Sequence, residues 1–194
     1  MRDGTIPASP ALINWGSGYN GAPTSPINVA RYWLWKFQNV SGVYANWSQL
    51  LETTALSPSQ GYTMKGSGAA TPKQNYTFVG KPFNGTIINP ISANNLNLSG
   101  NPYSSAIDAD KFIDDNVAST TGIIYYWEHS ALNNTHVLQG YQGGYAAYTK
   151  VGGTPPIAPA DINGLGGNTK IAQRFIPVGQ AFFVFGSASG GNIT

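Results

Sequence analysis

The feature that most constrains this chain is a set of short runs in which apolar and polar residues alternate, each closed by Gly, Pro or Asn. Alternation with period two sends successive side chains to opposite faces of an extended segment, so such runs read as half-buried β-strands. "RYWLWKF" (31–37) places Trp33, Trp35 and Phe37 on one face, expected to be core, and Tyr32, Leu34 and Lys36 on the other. "GYTMKG" (61–66), "NYTFVGK" (75–81), "GTIINPI" (85–91) and "NNLNLSG" (94–100) read as further short strands. "GIIYYWEH" (122–129), "GGYAAYTKV" (143–151) and "GQAFFVFGS" (179–187) follow, the last apolar on both faces and hence a central strand. Only 44–54 and 104–116 suit helices, the second with Ala109, Phe112 and Ile113 at i, i+3 and i+4. The expectation is an all-β, antiparallel, jelly-roll-like sandwich with one or two short helices, residues 1–194 forming a single module. "GGTPPIAPADINGLGGN" (152–168) reads as a long aperiodic loop. "LSPSQGYTMKGSG" (56–68) and "IPVGQAFFVFGSASG" (176–190) share residues at matching offsets, which suggests an internal duplication over 20–70 and 98–190.

Composition narrows the setting. Only 9% of residues are charged, against about 25% in an average soluble domain. Gly, Asn, Ser, Thr and Tyr fill the gap, a polar but nearly uncharged surface that suits an extracellular protein. Net charge is +2 and the ten basic residues are scattered from Arg2 to Arg174, so the electrostatic footprint of a nucleic-acid binder is absent. The chain has no cysteine, which excludes disulfides, thiolate catalysis, zinc fingers and iron–sulfur clusters. The opening "MRDGTIPASP" lacks the apolar stretch of a signal peptide, and the longest strongly apolar run, "AFFVF" (181–185), is far short of the ~20 residues that cross a bilayer. The expectation is no transmembrane segment, in a chain that is part of a longer protein.

Four of the eight acidic residues fall in "SGNPYSSAIDADKFIDDN" (99–116). As a helix over 105–115, Ser105 and Asp108 form an S-x-x-D cap, and Asp108 and Asp110, ~200° apart, point in roughly opposite directions. Lys111 then lies within reach of Asp108, Asp114 and Asp115. As an extended segment, Asp108 and Asp110 share a face and supply oxygen ligands for Ca²⁺. The helix is the preferred reading, and calcium at Asp108 and Asp110 the alternative; otherwise no cofactor is expected. For catalysis, Glu128 with Asp108 or Asp110 is a conceivable glycosidase pair. His129 and His136 are candidate bases without a nucleophile elbow. "GSGYNG" (16–21) matches a dinucleotide-binding pattern literally, but "APTSP" after it cannot open a helix.

Aromatics are the remaining resource: five tryptophans and eleven tyrosines. Tyr and Trp stack on sugar rings and dominate binding hot spots. Trp15, Trp47, Tyr141 and Tyr145 lie beside Gly and Asn and are the candidates for an exposed ligand-binding surface.

The ordered set "LSGNPYSSAIDADKFI", "TGIIYYWEH", "YQGGYAAYTK" and "RFIPVGQAFFV", with "GYTMKGSG" and "YTFVGKPFNG" before it, resembles a β-rich module of large secreted and cell-surface Bacteroidetes proteins. The resemblance runs from about residue 31 onward. Ala181 departs from the pattern, which there reads Gly-Gln-Gly-Phe-Phe-Val. Such modules typically precede a C-terminal sorting domain of the type IX secretion system. The resemblance therefore implies export, an extracellular or outer-membrane-surface location, and no catalytic residues.

Two functions follow as expectations. The first is a non-catalytic module that binds polysaccharide or a surface glycan through exposed aromatics. The alternative is a structural or adhesive module (spacer, stalk or filament subunit) that self-associates through β-edges; a glycan-active enzyme ranks third.

Overall fold

The computed structural model describes residues 1–4, 11–68, 74–130, 138–160, 164–166 and 169–194. The chain is all-β, its described strand ladders antiparallel except for one, and it divides into two compact units. Unit 1 comprises Met1–Lys36, Ser48–Leu56 and Tyr62–Pro82; unit 2 comprises Phe37–Trp47, Ser57–Gly61 and Phe83–Thr194.

Unit 1 is built from very short strands. β1 (Arg2–Asp3) pairs with β6 (Tyr76–Thr77), β2 (Asn14–Gly16) runs parallel to β3 (Asn28–Ala30), and β4 (Trp35–Lys36) pairs with β5 (Ser48–Gln49). Its principal apolar cluster is Ile13, Ile27 and Val29, with Met1, Trp15, Met64 and Tyr76 packed on it. Asp3 is fully buried there and accepts a hydrogen bond from the Ile27 amide at 3.0 Å.

The strand expected over 31–37 divides in two. Arg31–Trp33 forms a single 3₁₀ turn, closed by Leu34 N–H donating to the Arg31 carbonyl, and only Trp35–Lys36 is extended. The indole of Trp35 donates to the Tyr32 carbonyl at 2.7 Å and that of Trp33 to the Tyr19 carbonyl at 2.8 Å. These bonds replace ladder bonds and turn both indoles out of the core; Leu34 and Phe37 are buried while Trp33 and Trp35 are half-buried.

Unit 2 holds the long strands that the apolar runs anticipate. β8 (Leu96–Gly100), β10 (Thr120–His129), β11 (Gly143–Thr149), β12 (Gly152–Gly153) and β14 (Ala181–Gly186) form one sheet in the order β12-β11-β10-β14-β8. The apolar run 181–185 is central, as a strand buried on both faces should be. One face carries Ile124, Ala146, Tyr148, Phe182 and Val184. Over it lie helix α1 (Ala109–Asp115) and two short ladders, β7 (Asn89–Ile91) with β15 (Gly191–Ile193) and β9 (Ile107–Asp108) with β13 (Phe175–Ile176). The opposite face carries Leu98, Tyr125, Tyr145 and Phe183, covered by Phe37, Val40 and Trp47.

The segments suggested as duplicates differ in structure. Within 62–68 only Thr63 forms a bridge, to Trp35, whereas 181–186 is a full central strand. Of the two helices expected, 44–54 is a 3₁₀ turn at Tyr44–Asn46 followed by β5, and 109–115 is α1. Among the described residues no helix is long and apolar enough to cross a membrane.

Candidate functional site

The acidic cluster resolves into an ion-paired clamp. Helix α1 begins at Ala109, and its cap is Asp108, whose carboxylate accepts from the Asp110 amide at 3.1 Å; the expected cap at Ser105 lies outside the helix. Asp108 also ends β9 in extended conformation, so the helical angular step does not separate it from Asp110. Both carboxylates therefore meet one guanidinium, contrary to the opposed orientation expected. Arg174 donates to Asp108 at 2.7 and 2.9 Å and pairs with Asp110 at 3.2 Å. The Tyr148 hydroxyl donates to Asp110 at 2.9 Å. The Arg174 hydrogen bond holds the Asp108 carboxyl below the usual carboxylate range, while burial and then the bond to Asp110 push the Tyr148 hydroxyl up. A Ca²⁺ ion at Asp108 and Asp110 would have to displace Arg174, and among the described residues no group of three or more His, Asp or Glu is placed to hold a metal. Lys111 pairs with Asp115 at 2.9 Å, as helical spacing suggests, and Lys150 pairs with Asp114 at 2.6 Å.

The proposed acid–base pair gains little from this geometry. Glu128 lies on β10 opposite Gly144, four residues from Ile124, whose cross-strand partner Tyr148 reaches Asp110. That is about 13 Å along the strand. His129 is exposed on the other face of β10, and His136 lies outside the described residues.

The four aromatic candidates are half-buried rather than exposed. Trp15 packs on the Ile13–Ile27–Val29 cluster of unit 1. Trp47 meets Phe37 and Phe183 edge-to-face at 5.2 and 5.8 Å. Tyr145 meets Phe183 at 5.7 Å and Trp127 at 4.9 Å, and Trp127 stacks on Tyr141 with planes 8° apart. Thus Trp47, Tyr141 and Tyr145 belong to one continuous aromatic ladder over a face of the unit 2 sheet, and Trp15 does not. Burial pushes the Tyr145 hydroxyl up to about 12. The glycines beside Trp15 and Tyr145 sit at close approaches: a Cβ on Gly144 would lie 2.9 Å from the Ile157 carbonyl and one on Gly16 2.8 Å from the Asn28 side chain.

A more exposed aromatic group occurs where the sequence suggested core. In unit 1, Tyr19 (56% exposed) and Tyr32 (37%) meet edge-to-face at 4.5 Å. Tyr32 meets Trp33 at 5.1 Å and Trp35 at 6.3 Å, both at 80°. The Lys65 ammonium lies 5.4 Å from the Trp33 ring centre, and partial burial there lowers its pKa. The signal available in the sequence was the density of Tyr and Trp at 32–35; period two placed Tyr32 away from the core, as found, and Trp33 and Trp35 within it, where they are only half-buried.

Unit 2 also contains a cleft of about 370 Å³ beside α1. Phe112, Phe182 and Tyr103 supply its aromatic surface, and Ser59, Thr86 and Asn89 its polar side. Asp108, Lys111 and Asp115 line it as well, whereas Glu128 does not. Tyr103 is fixed by donating to the Gly85 carbonyl at 2.8 Å, and Asn89 donates to the Ser59 hydroxyl at 2.7 Å.

No curated protein and no solved structure matches the chain. A family model described as a domain of unknown function matches residues 12–194, so both units fall almost entirely within one family unit. The chain belongs to that family, DUF8693.

Proposed function

We propose that this chain is a non-catalytic extracellular module that binds polysaccharide or a surface glycan through the Tyr19–Tyr32–Trp33–Trp35 face of unit 1. The observation that carries this reading is the exposure of Tyr19 and Tyr32, with the half-buried Trp33 and Trp35 in ring contact with Tyr32, in a unit that has other apolar residues to bury. The apolar C–H faces of sugar rings pack on aromatic rings, and Tyr and Trp combine an apolar body with a hydrogen-bonding edge. A chain with 9% charged residues suits a neutral polymer better than a polyanion. The resemblance to type IX-secreted surface proteins supports an extracellular or outer-membrane-surface location, where such polymers are met.

Acid–base catalysis draws less support, because Arg174 engages both Asp108 and Asp110, and Glu128 lies apart from the cleft. Assembly through β-edges also draws less support. The outer side of β8 is taken by bridges from Val40 and Gln60, and β11 is flanked by β12 and by a bridge to Ile157. Edges covered in this way resist strand addition.

The test is binding of the purified chain to a panel of soluble and insoluble polysaccharides, with oligomeric state measured in the same samples. Saturable binding that falls at least tenfold in Tyr32→Ala and Trp33→Ala is expected. No binding to any polymer, together with concentration-dependent assembly, would replace this reading with the structural one.

A further inference from the structure

We infer that the cleft beside α1 in unit 2 is a second, separate binding site, which takes one or two residues of a neutral sugar. This rests on the glycan reading for its ligand class and deepens it by assigning a site that the unit 1 face does not include. The volume, about 370 Å³, sits at the small end of the ~300–1,000 Å³ that ligand pockets occupy, the size of a mono- or disaccharide. Its lining combines the two surfaces a pyranose offers partners for. Tyr103 and Phe112 present aromatic carbon to the apolar face of a ring, Phe112 being braced edge-to-face on Phe182 at 5.4 Å. Ser59, Thr86 and Asn89 present hydroxyl and amide groups to its hydroxyls.

Charge narrows the class further. The cleft includes Asp108, Lys111 and Asp115, and both carboxylates are ion-paired. Asp108 is held by Arg174 at 2.7 Å, and Asp115 accepts both of its hydrogen bonds from Lys111 at 2.9 and 3.0 Å. Arg174 is shared with Asp110, so the charge left beside the cleft is negative and an acidic sugar is disfavoured, while both lining carboxylates are already engaged. The ion pairs instead hold polar oxygen and nitrogen atoms in fixed positions at the rim. The lining residues are likewise set before any ligand arrives, because Tyr103 is tied to Gly85, Phe112 packs on Phe182 and Asn89 is tied to Ser59. A preorganised site loses less on binding than one that must be ordered.

The experiment is ligand-observed saturation-transfer NMR, with affinities from titration, on the full chain. The probes are glucose, galactose, mannose, N-acetylglucosamine and their β-1,4-linked disaccharides. Four proteins are compared: the unsubstituted chain, Thr86→Trp, Asn89→Ala and Tyr32→Ala. Thr86 is exposed, so an indole there fills the cleft mouth without entering a core. Unchanged unfolding midpoints confirm that each variant is folded.

Saturable binding of at least one neutral sugar is expected, lost at least tenfold in Thr86→Trp, weakened several-fold in Asn89→Ala and unchanged in Tyr32→Ala. Sugar binding that survives Thr86→Trp overturns the cleft assignment. So does polysaccharide binding that depends on Tyr32 with no small-sugar signal, and in that case the unit 1 reading stands. Displacement of the sugar by a neutral peptide at lower concentration would reassign the cleft to peptide. Absence of both sugar and polysaccharide binding overturns this inference and the glycan reading together.

Discussion

Units 1 and 2 contain the same kinds of residue and treat them differently. Among the described residues of unit 1 no strand exceeds three residues and each ladder has two strands. In unit 2 five strands join, and one of them is ten residues long. Two-stranded ladders are marginal by themselves, because they offer little area for side chains to cover. Unit 1 correspondingly gathers its principal cluster around three buried residues, and its Tyr32, Trp33 and Trp35 remain at or near the surface. Unit 2 draws Phe37, Phe183, Tyr145 and Trp127 into an edge-to-face ladder over the sheet. The longer sheet gives its aromatic residues a broad face to pack across, whereas the two-stranded ladders leave Tyr19 and Tyr32 exposed.

The largest effect that sharpens this contrast is cavity formation. Ile124→Ala, at the centre of the unit 2 sheet, is expected to cost about 3–5 kcal/mol, and Ile27→Ala in unit 1 about 2 kcal/mol, since a small cluster collapses more readily around the gap. Urea unfolding followed by circular dichroism measures both; equal losses would erase the distinction. Glycines give the next test. Gly143→Ala drives a methyl group into Trp127 and to 2.8 Å from the Glu128 carbonyl, for an expected loss of about 2 kcal/mol. Gly80→Ala in unit 1 meets nothing within 4 Å and is expected to be neutral or slightly stabilising.

The aromatic ladder also predicts an alkaline response. The folded pKa of Tyr145, about 12, lies above the ordinary value of 10. The corresponding stability is complete below pH 10 and is lost as pH rises from 10 to about 12. The loss is on the order of 3 kcal/mol, at 1.36 kcal/mol per unit. Unfolding midpoints across that range should fall less steeply in Tyr145→Phe. In acid the sign reverses: Asp108 titrates below its unfolded value, so its contribution is present above about pH 3.9 and disappears as pH falls through the folded pKa. Arg174→Ala should weaken that dependence, leaving the part due to the backbone amides that cap α1. The smallest effect is expected for Lys111→Ala, which breaks only an exposed pair and should leave the midpoint unchanged.

The same contrast governs what could be read from the sequence. β8, β10, β11 and β14 were legible because their apolar runs are long enough for period two to be unambiguous. The run 31–37 has the same alternation, yet side-chain bonds from two indoles to nearby carbonyls divert its backbone into a turn. Trp15 and Trp47 were expected at the surface from their Gly and Asn neighbours, but those neighbours report local backbone freedom and not what lies across the fold. The role of Arg174 was illegible for a related reason: it reaches Asp108 across 66 residues of sequence.

The most direct test of the central claim is two-dimensional NMR of the five tryptophan indole N–H groups during titration with an oligosaccharide from any polymer the chain binds. The account predicts that the Trp33 and Trp35 signals shift saturably while Trp15 does not move. Shifts at Trp15, Trp47 or Trp127 with Trp33 and Trp35 unchanged would contradict it.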